Sequence, residues 1–135
     1  MLEKYTLSAV IAALAAAAWP NGIHCAEPQG KRTILERHDQ SAVEGKEIIS
    51  GTAELPPGAS IGWHVHPGDE VGIILEGSLI MHVRGQADRE LRAGDHYFTP
   101  RGVVHSVSSA PGAGKAVAFS TWVVDKGKPL AEPAD

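Results

Sequence analysis

The chain has 135 residues, of which 43% are hydrophobic and 21% are charged, a composition typical of folded globular proteins. This length predicts a single domain. A formal charge of −4 leaves no basic surface for phosphate contacts, so we expect no nucleic-acid partner. Fifteen Gly and nine Pro divide the chain into short segments, which favours an all-β fold with tight turns over long helices.

The N-terminal segment differs from the rest of the chain. Residues 7–18 are almost wholly apolar and follow a short stretch that carries Lys4, which is the arrangement of a secretory signal peptide. The apolar run is too short to span a bilayer. We therefore expect residues 1–26 to be a signal peptide, the mature protein to be periplasmic or secreted, and no stable membrane insertion after cleavage. Cleavage after Ala18 or Ala26 and an uncleaved N-terminal helix remain alternatives.

Residues 27–135 are expected to form one domain, with strands over residues 33–124 and a loose C-terminal tail over residues 125–135. Apolar and β-branched residues between Gly- and Pro-containing turns predict short strands at Thr33–Arg37, Glu47–Leu55, Ser60–Val65, Val71–Glu76, Leu79–Val83, Arg89–Arg92, Tyr97–Thr99, Ser106–Ser108 and Ala116–Val124. One of the predicted turns is Pro67-Gly68-Asp69. Such a series is typical of a β-sandwich or a small barrel.

The histidines suggest a metal site. Cys25 is the only cysteine among the 135 residues, so no intrachain disulfide can form and a metal would need His and carboxylate ligands. His64 and His66 lie two residues apart and would project from the same face of a strand. Turns that precede Glu70 and His105 can bring these side chains to the same point. This set suits Fe, Mn, Ni, Cu or Zn, although two nearby His are common by chance.

Two spaced motifs give a more specific signal. They read G-x5-H-x-H-x3-E-x6-G from Gly58 to Gly77 and G-x5-P-x-G-x2-H from Gly94 to His105. This pattern resembles the two signatures of the cupin superfamily, in particular small bacterial monocupins similar to quercetin-dioxygenase-like cupins. The second motif departs from the family pattern at Ser109, where Asn is usual, and this departure concerns the local loop rather than the metal.

The resemblance implies a double-stranded β-helix, or jelly-roll barrel, with one divalent transition metal held by His64, His66, Glu70 and His105. Four protein ligands would leave coordination positions open for a small oxygen-rich molecule. We therefore expect a metal-dependent enzyme with dioxygenase, isomerase or decarboxylase chemistry, in which Glu70 also moves a proton. The alternative is an exported cupin that binds a metal or small ligand without catalysis.

The positions and roles of further residues are predicted from the alternation of side chains along strands and from their places in loops. Ile74, Met81 and Val83 are predicted to face the cavity and form an apolar pocket wall. Arg101, in the loop before His105, is a candidate contact for an anionic substrate. Trp63 should face away from the metal, and Phe98 is expected in the core or at a subunit interface. We also expect a homodimer, formed by strand addition at an edge made of residues 47–55 and the segment around Arg37.

Overall fold

The computed structural model describes residues 28–135, and this part of the chain contains β-strands and no helix. The strands are β1 (Lys31–Asp39), β2 (Lys46–Leu55), β3 (Ser60–Val65), β4 (Gly68–Glu76), β5 (Ser78–Val83), β6 (Arg89–Arg92), β7 (His96–Thr99), β8 (His105–Ser109), β9 (Ala116–Asp125) and β10 (Glu132–Pro133). Within residues 28–135, no helix has the length and apolar character needed to cross a membrane. The predicted signal peptide lies outside the described residues.

The strands form two five-stranded sheets with the orders β1-β2-β9-β4-β7 and β10-β3-β8-β5-β6. Every strand pairing is antiparallel. From β2 onward the chain passes to the opposite sheet at every connection except that between β5 and β6. This winding is the jelly-roll arrangement of a double-stranded β-helix, which confirms the all-β prediction.

Alternation along the strands separates the interior of the barrel from its outer surface. In β4, Glu70, Gly72 and Ile74 are buried, whereas Val71 and Ile73 between them are exposed. The buried apolar residues form two clusters. One includes Leu55, Ile74, Leu79, Met81, Leu91 and Tyr97. The other contains Ile49, Trp122 and Val124, with Leu130 packed against it. Burial of each large apolar side chain contributes about 1.5–3 kcal/mol, so these clusters supply much of the barrel's stability.

The predicted turn at Pro67-Gly68-Asp69 is wrong in its extent, because β4 already begins at Gly68. A Cβ atom at Gly68 would lie 1.9 Å from the carbonyl oxygen of Val123. Glycine therefore allows β4 and β9 to approach closely. The bend between β3 and β4 is confined to His66 and Pro67.

The prediction of a loose C-terminal tail is also wrong. Strand β10 pairs with β3, with Glu132 opposite Val65 and Pro133 opposite His64. The backbone N–H of Ala134 donates a hydrogen bond to the carbonyl of Trp63 at 3.0 Å. Leu130 packs against the cluster of Ile49, Trp122 and Val124. Pairing at a sheet edge thus holds a segment whose composition alone predicts a free end.

The predicted sheet edge is corrected as well. Strand β2 lies between β1 and β9, so its backbone groups are paired on both sides, and β1 and β7 are the edges of that sheet. Of the two segments predicted to form the edge, only the one around Arg37, which belongs to β1, lies at the edge of the sheet. On the outer face of the same sheet, exposed apolar side chains cluster at Val71 (55% exposed), Ile73 (39%), Leu75 (55%) and Phe98 (58%). The core alternative for Phe98 is therefore wrong.

The homodimer remains a prediction, and this apolar face gives it a test. Sedimentation velocity at micromolar concentration should give a dimer for the wild-type protein. Phe98→Asp should shift the population toward monomer, because a carboxylate on an apolar interface must be desolvated. Val43→Asp, in the exposed loop between β1 and β2, is the matched control and should leave the dimer intact. A monomeric wild type would contradict the prediction.

Candidate functional site

Four polar side chains meet inside the barrel. His64, His66, Glu70 and His105 are all buried, with exposures of 2–7%. His64 on β3 lies directly opposite His105 on β8 in the strand register. The ligand atoms of the three histidines lie within 4.8 Å of one another. Oε2 of Glu70 lies 3.1 Å from Nε2 of His66 and 3.5 Å from Nε2 of His105. The structure thus brings together the four residues that the motifs single out.

The three imidazoles share one orientation. In each ring Nδ1 donates a hydrogen bond to a backbone carbonyl: His64 to Gly62 at 2.7 Å, His66 to Leu130 at 2.6 Å and His105 to Val103 at 2.9 Å. A carbonyl oxygen can only accept, so the proton resides on Nδ1 and the Nε2 lone pair is available. Hydrogen bonds of this kind fix the tautomer and ring orientation of histidine ligands.

The donor set fits a divalent transition metal. Nε2 of His66 is buried and makes no hydrogen bond within the described residues. Its short distance to Glu70 therefore reflects convergence on a common point rather than a hydrogen bond. A buried polar atom without a partner is costly, and a metal ion would satisfy it. Three imidazole nitrogens and one carboxylate oxygen match the preferences of Mn, Fe, Ni, Cu and Zn.

A second set of hydrogen bonds orients Glu70. The Tyr97 hydroxyl donates to Oε1 of Glu70 at 3.2 Å, and the Ser120 hydroxyl lies 2.7 Å from the Tyr97 oxygen. Gly72 makes room for this arrangement, because a Cβ atom there would lie 2.2 Å from Cζ of Tyr97. Oε1 is thereby engaged by Tyr97, while Oε2 faces the histidines.

Burial and neighbouring groups shift the pKa values at the site. Burial opposes ionisation of Glu70, but His105 and His66 outweigh it when they carry a second proton, on Nε2, and donate to the carboxylate, which holds the pKa of this carboxyl below its ordinary value. Burial, together with the nearby His105 and His66, lowers the pKa of His64 to about 4. Burial and the Glu70 carboxylate raise the pKa of Tyr97. At neutral pH the site therefore holds a neutral His64, an ionised Glu70 and a protonated Tyr97.

Three of the four side chains, His64, Glu70 and His105, border a cavity of about 30 Å³, enough for about two or three water-sized groups. Its apolar wall includes Leu55, Leu79 and Met81. Polar groups also reach it: the guanidinium of Arg32 stacks over the ring of Trp122 with 5.5 Å between Cζ and the ring centroid, and both residues line the cavity. A space of this size suits a ligand of few atoms.

The residues predicted for a substrate pocket occupy different places. Met81 lines the cavity. Ile74 is buried in the core, and Val83 packs against the same cluster, but neither borders the cavity. Arg101 lies outside the cavity, since its guanidinium donates to the Asp125 carboxylate at 2.6 Å and to the Pro67 carbonyl at 2.8 Å. That ion pair holds the Arg101 side chain on the outer surface.

The sequence reasoning missed several residues of the site. Tyr97, Ser120 and Trp122 lie on inward positions of β7 and β9, and the alternation of these strands could have indicated them. Arg32 and Leu130 carry no such signal, because their positions depend on strand register and on docking of the tail. Ser109 accepts a hydrogen bond from the backbone N–H of Gly58 at 2.7 Å, so it supports a loop next to β3.

We expect the metal-free protein to lose stability as the pH falls from 6.5 toward 4. In this range the unfolded chain protonates His64, whose ordinary pKa is 6.5, while the folded chain with its pKa near 4 does not. Proton uptake by the unfolded state then favours unfolding. Below pH 4.5 the lowered pKa of Glu70 adds a further loss. The free energy of unfolding, obtained from urea titrations of chelator-treated protein at a series of pH values, measures this loss of stability.

The matched variants for this pH series are His64→Gln and His96→Gln. His64→Gln should flatten the dependence between pH 6.5 and 4, because the titrating group is gone. His96 is exposed, so His96→Gln should behave as wild type. A wild-type stability that is constant over this range would contradict the assignment.

Removal of the tail should weaken metal binding. Deletion of residues 129–135 removes the Leu130 carbonyl that holds Nδ1 of His66, and loss of such a partner typically costs 10- to 100-fold in metal affinity. Chelator competition with Co²⁺ or Zn²⁺ measures the change. Lys128→Ala, which retains the carbonyl, should bind as wild type. Wild-type affinity in the deleted protein would show that the contact has no role.

The comparisons with known proteins agree with this geometry. The family model for the Cupin domain matches residues 51–124, more than half of the chain. An oxalate-binding protein of Thermotoga maritima is 37% identical over 83 residues, covering 59% of this chain and 68% of that protein. Oxalate oxidase 2 of Hordeum vulgare is 32% identical over 66 residues, covering 43% of this chain but only 30% of the oxidase.

A solved structure gives the same result for the fold. The crystal structure of a cupin-like protein from Thermotoga maritima superposes with a TM-score of 0.62 at 27% identity, covering 78% of this chain and 75% of that one. The fold, the spacing of the two motifs and the match over residues 51–124 lead to one conclusion: the chain belongs to the cupin family.

Proposed function

We propose that this protein binds one divalent transition metal through His64, His66, Glu70 and His105 and uses it to transform a small oxygen-rich molecule. The observation that carries the proposal is the common orientation of the three histidines, whose Nδ1 atoms are all engaged by backbone carbonyls. This arrangement leaves three Nε2 lone pairs beside the Glu70 carboxylate. Fe, Mn, Ni, Cu and Zn all suit such ligands.

The residues around the site have distinct tasks in this proposal. A bound metal would act as a Lewis acid that polarises an oxygen of the ligand. Glu70 is held in place through Tyr97, and its carboxylate can pass a proton between solvent and a ligand that lies in the cavity. The apolar wall of Leu55, Leu79 and Met81 limits the water that can compete with the ligand.

Two relatives support a ligand of the oxalate type. One of them is named an oxalate-binding protein and the other an oxalate oxidase. We therefore propose a small carboxylate with vicinal oxygen atoms as the ligand. Enzymatic turnover of it, by dioxygenase-like or related chemistry, is the function we favour.

The second candidate is an exported cupin that binds its ligand without catalysis. The observation in its favour is the 37% identical relative, whose name describes binding rather than a reaction. If residues 1–26 direct export, as we propose, the ion is acquired outside the cytoplasm. There the order of metal affinities favours Cu and Zn over Mn and Fe.

Two substitutions separate catalysis from binding. Glu70→Gln retains the size and one oxygen of the side chain but removes its charge, so an enzyme should lose about 10²- to 10⁴-fold in turnover while retaining measurable metal. His66→Ala removes a ligand and should lose both metal and turnover. The measurements are elemental analysis of the purified protein and the rate of oxalate consumption under air.

The outcomes distinguish the two candidates. In a binder, Glu70→Gln should lower metal affinity and thermal stability together, because bound metal stabilises the folded state, and the wild type should leave oxalate intact. Turnover that falls only in step with metal content in both variants would remove the proton-transfer role of Glu70. Unchanged metal content in His66→Ala would refute the metal site itself.

A further inference from the structure

Arg32 is a charged side chain that lines the cavity and has no anionic partner in direct contact within residues 28–135. In this part of the chain its buried Nε has no hydrogen-bond partner, and its guanidinium forms no ion pair with Asp or Glu. Burial lowers the pKa of this group, while Glu70 and Tyr97 act in the opposite direction. An arginine nevertheless remains charged in proteins, so the cavity is lined by a cation whose buried Nε–H is an unused donor among the described residues.

The position of Arg32 follows from the strand register. Arg32 on β1 lies opposite Ala53 on β2, which in turn lies opposite Ala118 on β9. Both alanines line the cavity, and their small side chains leave space above the sheet for the long arginine side chain. Stacking over Trp122, 5.5 Å from the ring centroid, then supports the guanidinium.

The stacking on Trp122 also relates Arg32 to the histidines. The ring of Trp122 lies 5.8 Å from that of His66, and Arg32 shares the cavity with His64, Glu70 and His105. The electrostatic effect of Arg32 reaches both His64 and Glu70. Arg32 therefore borders the same small space as three of the four converging side chains, and it reaches the fourth, His66, through the ring of Trp122.

Charge balance indicates what the space accepts. A divalent ion, the Glu70 carboxylate and the Arg32 guanidinium together carry two positive charges in a largely desolvated cavity. A buried net charge is unfavourable unless it is neutralised, and a small dianion would neutralise it. A planar guanidinium can donate two parallel hydrogen bonds to a carboxylate.

We propose that Arg32 is the specificity-determining residue of the site and binds the second carboxylate of a small dicarboxylate ligand. This inference rests on the proposed function for the metal-bound end of the ligand. It adds that the site selects dianions over monoanions of similar size. Arg32 thus accounts for ligand choice, whereas the histidines account for metal binding.

A purely structural role for Arg32 gives different expectations. If stacking on Trp122 were its purpose, replacement by a neutral residue would destabilise the ligand-free protein. If Arg32 serves to bind an anion, replacement of this half-buried charge, which has no anionic partner, should leave the ligand-free melting temperature unchanged or raise it. A replacement that weakens anion binding without lowering the ligand-free melting temperature therefore distinguishes anion binding from a structural role.

The test compares wild type with Arg32→Gln, Arg32→Lys and the control Lys31→Gln, which removes an exposed charge on the same strand. Each protein is titrated with oxalate and with glycolate, which retains one carboxylate and a neighbouring oxygen. Calorimetry and thermal shift are recorded for the metal-free and the Mn²⁺-loaded forms, and Mn²⁺ affinity is measured separately.

We expect wild type and Lys31→Gln to prefer oxalate over glycolate. Arg32→Gln should lose about 10- to 100-fold in oxalate affinity, as removal of hydrogen bonds to a charged group predicts. It should also lose much of the preference for oxalate over glycolate, whereas its Mn²⁺ affinity should equal or exceed that of wild type. Arg32→Lys, which keeps the charge, should retain part of the oxalate affinity and of the preference over glycolate. Wild-type oxalate preference in Arg32→Gln, or a lowered ligand-free melting temperature with unchanged preference, would overturn the proposal.

The two proposals fail in different ways. A wild type that takes up none of Mn²⁺, Fe²⁺, Ni²⁺, Cu²⁺ and Zn²⁺ refutes the proposed metal site, yet oxalate titration of the metal-free protein still decides the role of Arg32. There, an oxalate response that disappears in Arg32→Gln supports the anion contact, and an equal or absent response in both proteins refutes it. If wild type binds Mn²⁺ and Arg32→Gln keeps the wild-type affinity and preference for oxalate, the Arg32 inference alone is refuted.

Discussion

Three hydrogen bonds from imidazole Nδ1 atoms to backbone carbonyls determine the chemistry of this barrel. They fix the tautomers of His64, His66 and His105 and direct the three Nε2 atoms toward one buried point. Since the acceptors are main-chain atoms, the site depends on the path of the backbone rather than on further polar side chains. The two sheets therefore act as the rigid frame of the site, and a shift in strand pairing would misdirect the rings.

The barrel tolerates unsatisfied groups at its centre because apolar clusters flank them. Nε2 of His66 and Nε of Arg32 are buried and have no hydrogen-bond partner among residues 28–135, which opposes folding. The cluster around Leu79 and that around Trp122 offset this cost. Such groups are unfavourable as they stand and would become favourable contacts with the metal and ligand that we propose. The interior thus combines a stabilising apolar wall with an incompletely paired polar centre.

Much of the fold follows from the sequence because its signals are local. Gly- and Pro-containing turns delimit the strands, and the spacing from Gly58 to His105 indicates both the family and the converging side chains. Other features depend on contacts between distant segments. The position of Arg32 requires the register of β1 against β2, and the docking of Leu130 requires β3 to offer a free edge. The sequence does not indicate the ion pair of Arg101, because its partner, Asp125, lies on β9, far from Arg101 along the chain.

The contact between His66 and Leu130 spans 64 residues of the chain, and it has a consequence for the order of biosynthesis. Residue 130 is added after His66, so the ring has no partner for its Nδ1 until the C-terminal segment docks, whether the chain folds during synthesis or after export. The orientation of the three rings is then completed only after β10 has paired with β3. Capture of a metal ion at full affinity would in this sense be a late event in maturation, and a chain whose C-terminal segment has not docked would be poorly prepared to retain an ion.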